Sequence, residues 1–106
     1  MKSARIDQIS SMLSATPNDP FLRFALAKEH EKNGEVAKTL SAYQWLIDHA
    51  PDYAGTYYHY GQFLLQHDET ERARVILEQG LRTTREQGDL HAHGELRTLY
   101  DDWFDD

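Results

Sequence analysis

The sequence predicts an all-α fold of tandem antiparallel helix pairs, and three observations carry that prediction. A prolyl step recurs: Ala15-Thr16-Pro17 precedes an apolar stretch opening at Phe21, and 34 residues on Ala50-Pro51-Asp52 precedes one at Tyr57. Residue class keeps the same step, with Ile9, Tyr43 and Leu77 in register, Leu13, Ile47 and Leu81 likewise, and the small residues Ala27 and Gly61 also 34 apart. Apolar residues fall at spacings of three and four, and no segment reads convincingly as a strand. A fixed period of this length marks stacked repeats, a fold that presents a recognition surface rather than a reaction vessel.

About six helices follow. The first, near residues 3–15, places Ile6, Ile9, Met12 and Leu13 on one face, with Ser3 as its cap and Thr16-Pro17 as its stop. Asp19 then caps the second helix, and Pro20 takes its first position, where a missing N–H costs nothing. This helix carries Phe21, Phe24, Leu26 and Ala27 to about Lys32, and Asn33-Gly34 ends it in residues that tolerate left-handed backbone. The third, near Val36 to His49, buries Leu40, Tyr43, Leu46 and Ile47, and Pro51 stops it by restricting Ala50.

The fourth helix, about Tyr53 to His67, is so rich in aromatics that propensity alone makes it a strand; the repeat register overrules that reading. Thr70 is the expected cap of the fifth, which runs through Ala73, Ile76, Leu77 and Leu81 toward Gln87. Gly88-Asp89 supplies a stop and a new cap, and the last helix, to about Phe104, sets Leu96, Leu99, Tyr100 and Trp103 on one side. Small residues at Ala27, Gly61, Ala73 and Gly80 let paired helices approach closely.

These residues resemble the tetratricopeptide repeats, whose unit is a helix-turn-helix of 34 residues. In the second period Tyr57, Tyr60, Gly61, Leu64, Ala73, Leu77 and Gly80 fill the family's positions, while Arg85 stands where the closing proline belongs. In the first, Leu26, Ala27, Gly34, Tyr43 and Pro51 match; Arg23 replaces the leading aromatic, and Thr39 and Leu46 replace small residues. The resemblance divides one domain, 1–106, into a half-repeat at 3–17, repeats at 20–53 and 54–87, and a capping helix at 89–104. It implies a right-handed superhelix whose concave face is lined by the first helix of each pair.

By position that face is Phe21, Phe24, Lys28, Glu31 and Lys32 from the first repeat and Tyr58, Gln62, Leu65 and Gln66 from the second. Rings with adjacent long polar side chains suit an extended or helical peptide, with Phe24, Tyr58 and Leu65 as anchors and Lys28 and Gln62 orienting it. Family members that grip the carboxylate of chaperone tails use a basic and amide-bearing clamp. Its first places here are Phe24, Lys28 and His59, and phenylalanine cannot donate to a carboxylate, so the resemblance does not extend to that ligand.

Composition bounds the remaining readings. The 106 residues suit a single domain with a modest core, and no apolar run is long enough to span a bilayer. The N-terminus has no apolar stretch of the signal-peptide kind, and zero cysteines fit a reducing compartment, so the expectation is a soluble, cytoplasmic chain. Residues 88–106 hold Arg97 against six carboxylates and so carry five of the seven net negative charges, which argues against nucleic acid or anionic membrane as partner.

No metal or other cofactor is expected. His91 and His93 are the closest of the six histidines, but residues two apart on a helix point to different faces. No phosphate loop or nucleophile elbow occurs, so no catalytic residue is assigned and the chain is read as a non-enzyme. The expected function is a protein-interaction module or adaptor that docks a partner protein or peptide. The alternative is a structural self-assembly unit, a homodimer or larger homo-oligomer formed through exposed repeat ends. The segment Tyr100-Asp101-Asp102-Trp103-Phe104-Asp105-Asp106 is read as a cap on the stack or, alternatively, as an aromatic, acidic motif that docks into a partner or into another copy's groove.

Overall fold

A computed structural model describes residues 4–104, so the expected cap at Ser3 and the terminal Asp105 and Asp106 lie outside the described residues. Among those described, the elements are α1 (Ala4–Ala15), α2 (Pro20–Lys32), α3 (Val36–His49), α4 (Gly55–Gln66), α5 (Thr70–Gln87) and α6 (Leu90–Phe104). The fold is all-α, packed in adjacent pairs. The chain forms two compact units, Met1–Pro51 and Asp52–Asp106. In the first, α1 packs on α2 and α2 on α3; in the second, α4 packs on α5, and α6 lies against both.

Local chemistry explains most boundaries. The Asp19 carboxylate accepts from the backbone N–H groups of Phe21 (2.9 Å) and Leu22 (3.4 Å), with Pro20 opening α2 behind it. Asp89 does the same for α6, accepting from Ala92 N–H at 3.1 Å. Thr70 does not cap α5: it is the first helical residue, preceded by Glu69, whose side chain makes no capping bond. α4 starts two residues later than the sequence suggests, at Gly55, because Ala54 before it has no side chain able to cap.

Three helices end alike. At the close of α2 the Glu35 N–H reaches the His30 carbonyl (3.0 Å) and the Gly34 N–H reaches Glu31 (3.1 Å), with Gly34 left-handed at φ 72°. The same paired bonds run from Glu69 to Leu64 and from Asp68 to Leu65 after α4, and from Asp89 to Thr84 and from Gly88 to Arg85 after α5. This double bond over a left-handed residue satisfies two carbonyls that a helix end otherwise orphans. α3 ends instead at Ala50, before Pro51. With Arg85 in the corresponding place, α5 continues to Gln87, and the Gln87 side-chain amide turns back to donate to the Asp52 carbonyl at 2.6 Å.

The aromatic α4 is a helix because its large residues recur at helical spacing, with Tyr57, Tyr60 and Leu64 all fully buried on one face. Two glycines make the α4–α5 contact tight. A Cβ on Gly61 would stand 2.5 Å from Leu77 Cδ2, and one on Gly80 would stand 2.5 Å from Tyr57 Cβ and 3.1 Å from Leu96 Cδ1. Two expected core faces are rotated from their assignment. α1 buries Ile9 and Leu13 while Met12 is exposed, and α6 buries Leu96 while Trp103 is 54% exposed. Phe104 takes the inward place instead, under the Arg74 guanidinium at 4.4 Å.

Candidate functional site

The cap at Asp19 sets the phase of α2 so that Phe21, Phe24, Lys28 and Glu31 share one stripe of the first unit. Phe21 is 64% exposed. Phe24 is half-buried, its ring tilted against Tyr43 with centroids 6.4 Å apart. Lys28 Nζ lies 3.6 Å from Glu31 Oε1, and that same oxygen accepts the hydroxyl of the fully buried Tyr43 at 2.7 Å. Burial first, then the Glu31 bond and its charge, push the Tyr43 hydroxyl far above the usual phenol range. Glu31 is thereby tied to the core, and of the stripe Phe21 stands mostly in water while Phe24 and Lys28 are half-buried.

In the second unit α6 borders the stripe on α4. Tyr58 is half-buried, edge-on to His59 at 5.6 Å, and lines two adjoining clefts of about 210 and 240 Å³. Their other walls come largely from α6, including Glu95, Leu96, Thr98, Leu99 and Asp102, so the tyrosine sits in an acidic setting. Gln62 is half-buried and Gln66 exposed. Leu65 is only 4% exposed and offers no free anchor, a correction to its assignment.

α6 holds its position through Leu96 beside Gly80 and through the Tyr100 hydroxyl, which donates to Glu78 Oε2 at 2.6 Å. That bond raises the Tyr100 pKa, with burial and the Glu78 charge adding to it and Arg74 opposing. His93 Nδ1 lies 3.2 Å from both Thr84 Oγ1 and the Leu81 carbonyl, whereas His91 approaches Glu95 at 3.7 Å. The two histidines serve different neighbours, as their spacing requires.

One feature of the first unit escapes sequence reasoning. Between α2 and α3 a cleft of about 370 Å³ opens, walled by Leu26, Ala37, Ala42 and Trp45 and rimmed by Arg23, His30 and Lys38. The Arg23 guanidinium stacks 4.4 Å from the Trp45 centroid while its Nε donates to the Pro17 carbonyl at 2.8 Å. His30 Nδ1 is buried without a hydrogen-bond partner. Burial lowers the His30 pKa, Lys38 lowers it further, and Glu35 opposes them, which leaves the ring neutral at neutral pH.

The signal for this cleft was the departure at Arg23 from the leading aromatic. Four of the eight lining residues stand 34 positions before large apolar ones: Arg23 before Tyr57, Leu26 before Tyr60, His30 before Leu64 and Ala42 before Ile76. All four counterparts are buried. Charged or smaller side chains at the same places leave a hole.

Comparison with known proteins places the chain. No protein-family model and no curated protein matches it. Among solved structures, the crystal structure of a tetratricopeptide repeat domain protein from Salinibacter ruber is 38% identical, with a TM-score of 0.71, over 76% of this chain and 90% of that one. A solution structure of a tetratricopeptide repeat domain protein from the same organism aligns at 38% identity and TM-score 0.75, over 78% of this chain and 84% of that one. The solution structure of a Bordetella parapertussis protein, 23% identical over 93% of this chain and 85% of that one, shares the fold with a TM-score of 0.76. A relative this similar, matched over nine-tenths of its length and in a fold whose glycine and tyrosine positions have just been traced, settles the assignment: the chain belongs to the tetratricopeptide repeat family.

Proposed function

We propose that this domain is an adaptor that docks partner protein on two surfaces, the outward stripe of α2 in the first unit and that of α4 in the second. Tetratricopeptide repeat domains are in general protein-interaction modules. The observation that carries the reading for this chain is Phe21, a phenylalanine 64% exposed beside Phe24 and Lys28. A large ring left in water at the start of a capped, rigid helix offers contact area at little entropic cost. On α4, Tyr58 with Gln62 and Gln66 adds an aromatic and two amides. The carboxylates of Glu95 and Asp102 around Tyr58 favour a partner segment that brings Lys or Arg to that end. No helix among the described residues is long and apolar enough to cross a membrane.

The test is affinity capture from native extract with wild type, Phe21→Ala plus Lys28→Ala, and Tyr58→Ala. Neither Phe21 nor Lys28 is buried, so the first variant keeps its fold, which circular dichroism checks. Partners lost in the first variant and weakened in the third identify the surface. An unchanged set of captured proteins in both rejects it.

A further inference from the structure

The cleft between α2 and α3 is shaped by what it lacks. In the second helix pair four of the eight corresponding positions hold Tyr57, Tyr60, Leu64 and Ile76, which are buried, while Glu71, Arg72, Val75 and Gln79 at the other four are not. In the first pair Arg23, Leu26, His30 and Ala42 leave about 370 Å³ beside Trp45, the size of a small ligand site. The missing volume is aromatic, and the rim is cationic through Arg23 and Lys38. An aromatic ring flanked by carboxylates matches that volume and that rim.

We propose that this cleft receives the end of α6 from a second copy of the chain, with Trp103 filling it and Asp102 facing Arg23 and Lys38. Trp103 is 54% exposed, and Asp102 beside it is exposed as well. Charge favours the encounter. The rim carries Arg23 and Lys38 and the helix end carries Asp101 and Asp102, so opposite charges meet at the contact although the whole chain is acidic. Cleft and helix end are different patches, so the contact is heterologous and closes as a reciprocal pair or ring or else continues as an open chain.

Sedimentation velocity of the full chain from micromolar to millimolar concentration tests this. Wild type associates as concentration rises. Trp103→Ala weakens the association at least about tenfold, as for a buried aromatic anchor, and Trp103→Phe, which keeps a smaller ring, falls between. Arg23→Tyr plus Ala42→Ile fills the cleft as the second pair fills its own, and it abolishes association while retaining helical circular dichroism. Lys38→Glu weakens association, and adding Asp102→Lys restores it. Mixing Trp103→Ala with the filled-cleft variant yields a one-to-one heterodimer, because one retains only the cleft and the other only the tryptophan. A wild type that stays monomeric to millimolar concentration overturns the proposal, as does association that persists unchanged in Trp103→Ala or in the filled-cleft variant.

Discussion

The two complete helix pairs, α2 with α3 and α4 with α5, share a register of 34 residues and differ in where each keeps its aromatic. In the second pair Tyr57 on the leading helix is fully buried, its ring root against Gly80, and its hydroxyl accepts from the Gln79 amide at 3.4 Å. In the first pair the corresponding positions are Arg23 and Trp45, and they also touch, as a guanidinium over a ring at 4.4 Å. Ring and polar chain have exchanged helices. A tyrosine pointing inward closes the pair, whereas an arginine must keep its charge in water and holds the tryptophan at the rim of an open cleft. The lesson is that one frame tolerates a closed or an open pair according to the residue at a single position.

The largest effect comes from imposing the first pair's chemistry on the second. Tyr57→Arg places a cation in a fully buried site, and we expect a loss of about 3–5 kcal/mol, read as a lowered urea midpoint or outright unfolding. A loss under 1 kcal/mol would show that the second pair opens as readily as the first.

Gly80→Ala probes the same closure more gently. The new Cβ meets Tyr57 Cβ at 2.5 Å, an atom fixed to the α4 backbone, so the helices must part. We expect a net cost of about 1–3 kcal/mol despite alanine's better helix propensity. Gly61→Ala meets the Leu77 side-chain end instead, which can rotate aside, and the cost is smaller. In the first pair the position matching Gly80 is Leu46, fully buried, so no such close approach exists there.

His30 distinguishes the pairs by pH. Its pKa is lowered in the folded protein, so the unfolded chain binds the proton more readily, and stability falls as pH drops below about 6.5, the free histidine value. Its counterpart is Leu64. His30→Leu removes this component of the acid loss and raises stability at neutral pH by about 1 kcal/mol, because a buried unpaired nitrogen disappears. Thermal midpoints of both proteins between pH 5 and 8 give the difference. Parallel curves would mean that the ring is protonated as freely folded as unfolded.

Much of this frame is legible in the sequence because it rests on local chemistry. Asp19-Pro20, Asn33-Gly34, Pro51 and Gly88-Asp89 fix the ends of elements through capping and backbone restriction, and these ends appear where the residues put them. Positions decided by packing are less legible. Leu65 and Trp103 are both apolar residues on amphipathic helices, yet one is buried and the other half in water. Glu31 reads as a surface carboxylate until Tyr43, 12 residues away, claims its oxygen. The cleft is an absence, visible only when Arg23 and Ala42 are set beside Tyr57 and Ile76, so the repeat itself supplies the reference against which a hole is measured.

The smallest expected effect concerns the turn inside each pair, where the frames coincide most closely. Gly34 and Asp68 occupy the same repeat position, both left-handed at φ 72° and 62°, and both turns carry the same two backbone bonds. Aspartate bears a Cβ that this backbone region disfavours, though less than most residues, while glycine enters freely but has more unfolded freedom to lose. The strain outweighs the entropy by a narrow margin, so Asp68→Gly should stabilise by about 0.5 kcal/mol, and Gly34→Asp should destabilise by about the same amount. Opposite shifts of the thermal midpoint in the two variants would make the turns interchangeable parts of one design. Shifts of the same sign would mean that the Asp68 side chain contributes something to its turn that Gly34 has no means to supply.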